Sequence, residues 1–158
     1  MRFVFSALVV PLRQPVVLAK QLATIDQVCD GRVGVVVGSG WLQSEFEALG
    51  IGFADRGDRT DEYLRVLKAC WTDELPSFSG RYLSFPPSAV EPKCHQTPNI
   101  PLWIGGNGPR PERRAAELGD GWAPSPGPSI TVPPPSGASV IGRPPAVGLW
   151  RGWPSSEA

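Results

Sequence analysis

Two glycine-rich turns carry the clearest chemistry in this 158-residue chain. Gly38-Ser39-Gly40 follows Val37, and Gly105-Gly106-Asn107-Gly108 follows Ile104. A glycine turn ahead of a helix leaves backbone N–H groups beside the positive end of the helix dipole, which is a cradle for phosphate. The competing reading of each is an ordinary tight turn between strand and helix. Neither completes a dinucleotide fingerprint, because Gln43 and Pro111 stand where G-x-G-x-x-G needs its third glycine. Neither is a nucleophile elbow, since Val37 and Trp41 flank Ser39 where G-x-S-x-G needs glycine.

Other reactive residue types form no constellation. His95 is the sole histidine, beside Cys94 in a loop, and adjacency does not make a nucleophile–base pair. It reads as a surface residue. A lone histidine and three cysteines without a CxxC pair, Cys29, Cys70 and Cys94, argue against a metal site. They read as reduced thiols of a cytoplasmic protein. The cluster Arg56-Gly57-Asp58-Arg59-Thr60-Asp61-Glu62 mixes signs at helical spacing, as in a solvated, internally paired helix start, with Asp58 as a candidate cap.

The elements that must position the turns alternate between strand and helix. Phe3 to Val10 is a continuous apolar run, the pattern of a strand covered on both faces. Pro15 suits a first helical turn. Leu18, Leu22, Ile25 and Cys29 then make one apolar stripe, closed by Gly31. Arg32–Val37 is a second buried strand. Leu42–Leu49 is a short amphipathic segment, and a longer helix runs from about Arg59 to Trp71. Residues 77–85 read as a hairpin around Gly80. Pro101–Ile104 is a third strand, followed by a helix over 109–118, and Gly121–Ala123 begins a fourth strand. Such alternation predicts parallel βαβ units, with residues 3–10, 33–37 and 101–104 as neighbours and helices on one face.

Composition narrows the function classes. Fifteen basic and fifteen acidic residues leave no net charge, against a nucleic-acid binder. No apolar run reaches the ~18 residues of a membrane span. The start, Met1 to Val10, lacks a signal-type cleavage site and reads as a strand. Glycine (18) and proline (19) together are about twice the usual share. The excess is uneven and divides the chain into residues 1–124 and a Pro/Gly/Ser-rich tail, 125–158. In the tail only Arg143, Arg151 and Glu157 carry charged side chains. The tail predicts disorder, since it lacks apolar surface to offset ordering entropy.

Read in order, residues 3–124 resemble the bacterial-luciferase-like oxidoreductases. The matching strings include Pro11-Leu12-Arg13-Gln14-Pro15, Gly31-Arg32-Val33 with Gly38-Ser39-Gly40-Trp41, and Glu45-Phe46-Glu47-Ala48-Leu49-Gly50. Asp61-Glu62-Tyr63-Leu64, Glu91-Pro92-Lys93, Pro101 to Gly106 and Leu118-Gly119-Asp120-Gly121-Trp122 continue them. The pattern looks most like the subgroup using the deazaflavin coenzyme F-420, with FMN-dependent relatives close behind.

The resemblance implies an α/β fold, a partial TIM (β/α)8 barrel comprising about the third to sixth strands. The chain then reads as a truncated fragment of such a gene. The family's cis non-prolyl peptide, which buttresses the cofactor ring, would fall at Ser6–Ala7. Gly38, Ser39 and Gly40 would wall the ring and ribityl chain, and Gly105, Gly106 and Gly108 would bind phosphate. The implied activity is that of a flavin- or F-420-dependent oxidoreductase or monooxygenase acting on a small-molecule substrate. No catalytic residue is assigned: the second-strand histidine or acid of many relatives has no counterpart, and Trp41 replaces a glutamate that serves some deazaflavin enzymes as an acid. The alternative is an inactive remnant. Open sheet edges at Phe3–Val10 and Gly121–Ala123, with Val33 to Val37 partly exposed, would favour a homo-oligomer.

Overall fold

The computed structural model describes residues 1–124; the tail assignment, 125–158, lies outside the described residues. Four strands form one parallel sheet in the order β1 (Phe3–Val9), β2 (Val33–Gly38), β5 (Leu102–Gly105), β6 (Gly121–Ala123). The helices are α1 (Pro15–Val28), α2 (Gln43–Ala48), α3 (Arg56–Thr72) and α4 (Pro109–Leu118). A hairpin, β3 (Phe78–Ser79) with β4 (Ser84–Phe85), is antiparallel. The three expected strands are parallel neighbours, an arc of a β/α barrel.

Side-chain alternation sets the layers. Val33, Val35 and Val37, with Leu102, Ile104 and Trp122, join Leu18 and Leu22 of α1 and Leu64 and Leu67 of α3 in one core. Val36 and Trp103 are register partners on the other face, and both are buried. A Cβ at Gly121 would collide with the Trp103 indole, so that ring lies across the glycine. Val33 to Val37 are buried, not partly exposed as expected. β1 departs in the opposite sense. It lies at the sheet edge, and Phe3 and Phe5 remain 42% and 41% exposed, so it is not covered on both faces.

The helix ends follow local chemistry. Gln14 caps α1 through its side-chain oxygen, which accepts from the Val17 amide at 2.7 Å. Beyond Cys29 the chain turns through Asp30 and Gly31, both at positive φ. α3 starts three residues earlier than the spacing indicated. Asp55 occupies its N-cap without a side-chain capping bond, and Asp58 lies inside the first turn, so Asp58 is not the cap.

No helix among the described residues is long and apolar enough to cross a membrane.

Candidate functional site

The parallel strands bring the sequence-selected residues to one end of the sheet. Val9 pairs with Gly38, Val37 with Ile104, and Gly105 with Ala123. The carboxyl ends of β1, β2 and β5 thus lie side by side. In β/α folds this is the end where ligands bind. The Ser6–Ala7 peptide is cis, and the β1–β2 register shifts between Phe5 and Leu8. Ser6 and Ala7 are exposed. A Cβ on Gly38 would lie 3.9 Å from the Ala7 Cβ, placing Ala7 against the β2 turn.

The turn after β2 is clamped from beneath. Gly40 has φ +80°, and a Cβ there would come within 2.8–2.9 Å of the Phe46 ring and Val9 Cγ1. Only glycine fits without displacing both neighbours. Phe46 is fully buried and meets Phe53 edge-on at 5.2 Å. The Arg56 guanidinium lies 3.9 Å above the Phe53 ring, and its Nε donates to Gly40 O at 3.2 Å. Trp41, next in sequence, is 83% exposed beside this clamp.

The turn after β5 is held differently. The Gly106 amide donates to Ala123 O at 3.3 Å, and Trp122 Nε1 donates to Gly106 O at 2.8 Å. Gly108, the N-cap of α4, has φ +98°. Nothing lies within 4 Å of where its Cβ would stand, so the cradle is open. Pro109 and Pro111 carry no N–H, which leaves the Arg110 amide as the donor in this half-turn. Open space beside a backbone donor at a helix N-terminus fits a phosphate.

Three side chains of the Arg56–Glu62 cluster do more than the sequence indicated. Asp61 accepts from Arg114 Nε and lies 3.7 Å from Arg113 Nη2. Glu62 accepts three backbone amides of the hairpin. Arg56 fixes the Gly40 turn. The cluster is not a solvated helix start, because α4 and the hairpin dock on it. Arg114, only 5% exposed, also donates Nη1 to Ser39 Oγ at 3.1 Å. Sequence reasoning passed over Arg114, and its one signal was an arginine within a run of helix formers.

His95 and Cys94 stand apart from this end. Gln96 bonds to Asp26 near the end of α1 and to Val33 O at the start of β2, so their loop crosses the amino end of the sheet. His95 is exposed, as expected. Among the described residues no group of His, Cys, Asp and Glu is placed to hold a metal.

The three thiols are unpaired. Burial pushes the Cys94 thiol up from 9.0 to about 12. Burial also raises Cys70. The unfolded chain therefore loses these protons first as pH rises. For Cys94 the stabilisation is complete below pH 9 and falls away between 9 and about 12. Urea midpoints measured at pH 7.5 and 10 should fall less for Cys94→Ala than for the unaltered protein. Equal falls would show that Cys94 carries no such linkage.

The luciferase-like monooxygenase family matches residues 1–130, and the chain belongs to that family. A relative, the FMNH2-dependent dimethylsulfone monooxygenase of Pseudomonas putida, is 38% identical over 109 residues, 67% of this chain and 30% of that one. A monooxygenase from Streptomyces bottropensis superposes with a TM-score of 0.73 at 28% identity, over 77% of this chain and 37% of its own. An F-420-dependent secondary alcohol dehydrogenase, solved with an F-420–acetone adduct, gives 0.61 at 30% identity, over 70% and 34%. The chain spans about a third of the length of these relatives.

Proposed function

We propose that the carboxyl end of this sheet binds an isoalloxazine-type cofactor, F-420 or FMN, in an oxidoreductase of monooxygenase type acting on a small-molecule substrate. One observation carries the reading: Ala7, Gly38–Gly40 and the open Gly108 cradle lie along the same sheet end. Both cofactors have a tricyclic ring, a ribityl chain and a phosphate. Such a group supplies the hydride or electron chemistry, and the protein supplies orientation. Ser6, Ala7, Gly38, Ser39 and Gly40 would border the ring and chain. Gly105, Gly106 and Gly108 would line the phosphate site, with the Arg110 amide as a donor. The FMNH2-dependent and F-420-dependent relatives support both cofactors. The free thiols fit a cytoplasmic protein, and the open β1 edge fits a homo-oligomer.

A second reading is a remnant without turnover. Fluorescence titration with F-420 and FMN separates the two. The unaltered chain should bind one of them. Gly108→Val strains a φ of +98°, and a Cβ at Gly106 would press on Pro111 at 3.1 Å. Each Val variant should weaken binding by about tenfold or more, the worth of one charged hydrogen bond. Binding unchanged in both variants would remove the phosphate from this turn. No binding by the unaltered chain would leave the second reading.

A further inference from the structure

We infer that Arg114 is a positioning residue that locks the two glycine turns into one binding end, an inference that rests on the cofactor reading above. Arg114 is on α4, whose first turn is the proposed phosphate side. Its guanidinium makes three bonds to two other elements, α3 and the turn after β2. Nε donates to Asp61 Oδ1 of α3, Nη2 to Gly57 O at 3.0 Å, and Nη1 to Ser39 Oγ at 3.1 Å. Ser39 lies between Gly38 and Gly40, on the proposed ring side. One buried cation thus ties the ring-side turn to the phosphate-side helix across 75 residues of sequence.

The planar fork of arginine is what permits this. Its nitrogens point in fixed, different directions, whereas a lysine gathers its donors at one atom and cannot reach acceptors set this far apart. Asp61 holds the guanidinium in place, and Arg113 adds a second cation on the outer side of that carboxylate. Burial fixes the geometry, since little of the side chain is free to reorient. The distance between the two turns is therefore set by Arg114. A ligand that touches both turns benefits from that fixed distance. A ligand that touches the ring side alone does not.

The test compares FMN with riboflavin, and F-420 with its phosphate-free chromophore, in Arg114→Lys, Ser39→Ala and the double variant. Arg114→Lys and Ser39→Ala should each weaken the phosphate-bearing cofactor by about tenfold, and the double variant by little more than either alone, because Arg114 acts through Ser39. The phosphate-free ligands should change less, so the phosphate advantage shrinks. Ser39→Thr keeps a hydroxyl and should restore binding. Thermal melting checks each fold; if Arg114→Lys unfolds, Ser39→Ala with its Thr rescue carries the test. A phosphate advantage intact in both single variants, or losses that multiply to about a hundredfold in the double, would overturn the inference alone. If the unaltered chain binds neither pair, the cofactor reading fails and takes this inference with it.

Discussion

Glu62→Ala should destabilise the protein by about 3–4 kcal/mol and release the hairpin from α3. Glu62 is only 9% exposed. Its Oε2 accepts the Arg81 amide at 2.8 Å, and its Oε1 accepts those of Tyr82 and Leu83 at 2.9 and 2.8 Å. Removing it orphans three backbone donors that point into the protein. Each hydrogen bond to a charged acceptor is worth about 1.5–3 kcal/mol, and water recovers part of the loss. The hairpin has only two residues per strand, too few to stand alone. Urea denaturation gives the stability, and amide exchange at Arg81, Tyr82 and Leu83 gives the local opening. A loss below about 1 kcal/mol with unchanged exchange would mean that the hairpin is held by other contacts.

The second large effect is at Asp26, which is fully buried near the end of α1. Its Oδ2 accepts the Gln96 amide at 3.0 Å, and its Oδ1 accepts Gln96 Nε2 at 2.7 Å. The same Nε2 donates to Val33 O at 2.8 Å, so one glutamine joins helix, loop and strand. Asp26→Ala leaves both Gln96 donors short of an acceptor and opens a small void. The expected cost is about 2–4 kcal/mol. The loop should loosen with it. Lys93 now donates to Cys70 O and Asp73 O at 3.1 and 2.6 Å, which shields the following peptide bond from trypsin. In Asp26→Ala, cleavage after Lys93 should speed up by at least about tenfold, tracking the opened population. Cleavage at the unaltered rate would place the anchor of this loop elsewhere.

These carboxylates show where sequence reading stops. Apolar runs and glycine punctuation are local signals, and they located β2, α1, α4, the Gly80 hairpin and both turns. The parallel order followed because strand–helix alternation permits few topologies. Asp26, Glu62 and Arg114 find partners 70, 19 to 21, and 53 to 75 residues away. No periodicity encodes such pairings. Asp61 and Glu62 therefore looked like ordinary helix-surface charges. The apolar run of β1 was legible as a strand, but an edge strand and a central one can share that composition. Its exposure depends on what lies alongside, not on Phe3 to Val9 themselves. Trp103 shows the reverse: its indole is buried across Gly121, a place open to it only because Gly121 has no side chain.

The central claim is that one end of the sheet, built from two glycine turns and the Ser6–Ala7 peptide, receives the cofactor. Nitrogen-15 amide spectra recorded while FMN or F-420 is added test it most directly, because they report position as well as binding. The signals of Ala7, Gly38, Ser39, Gly40, Gly105, Gly106 and Gly108 should shift together along one saturation curve. Those of Gly31 and Gln96, at the opposite end of the strands, should stay in place. Saturable shifts centred on Gly31 and Gln96, with the two turns unmoved, would contradict the account.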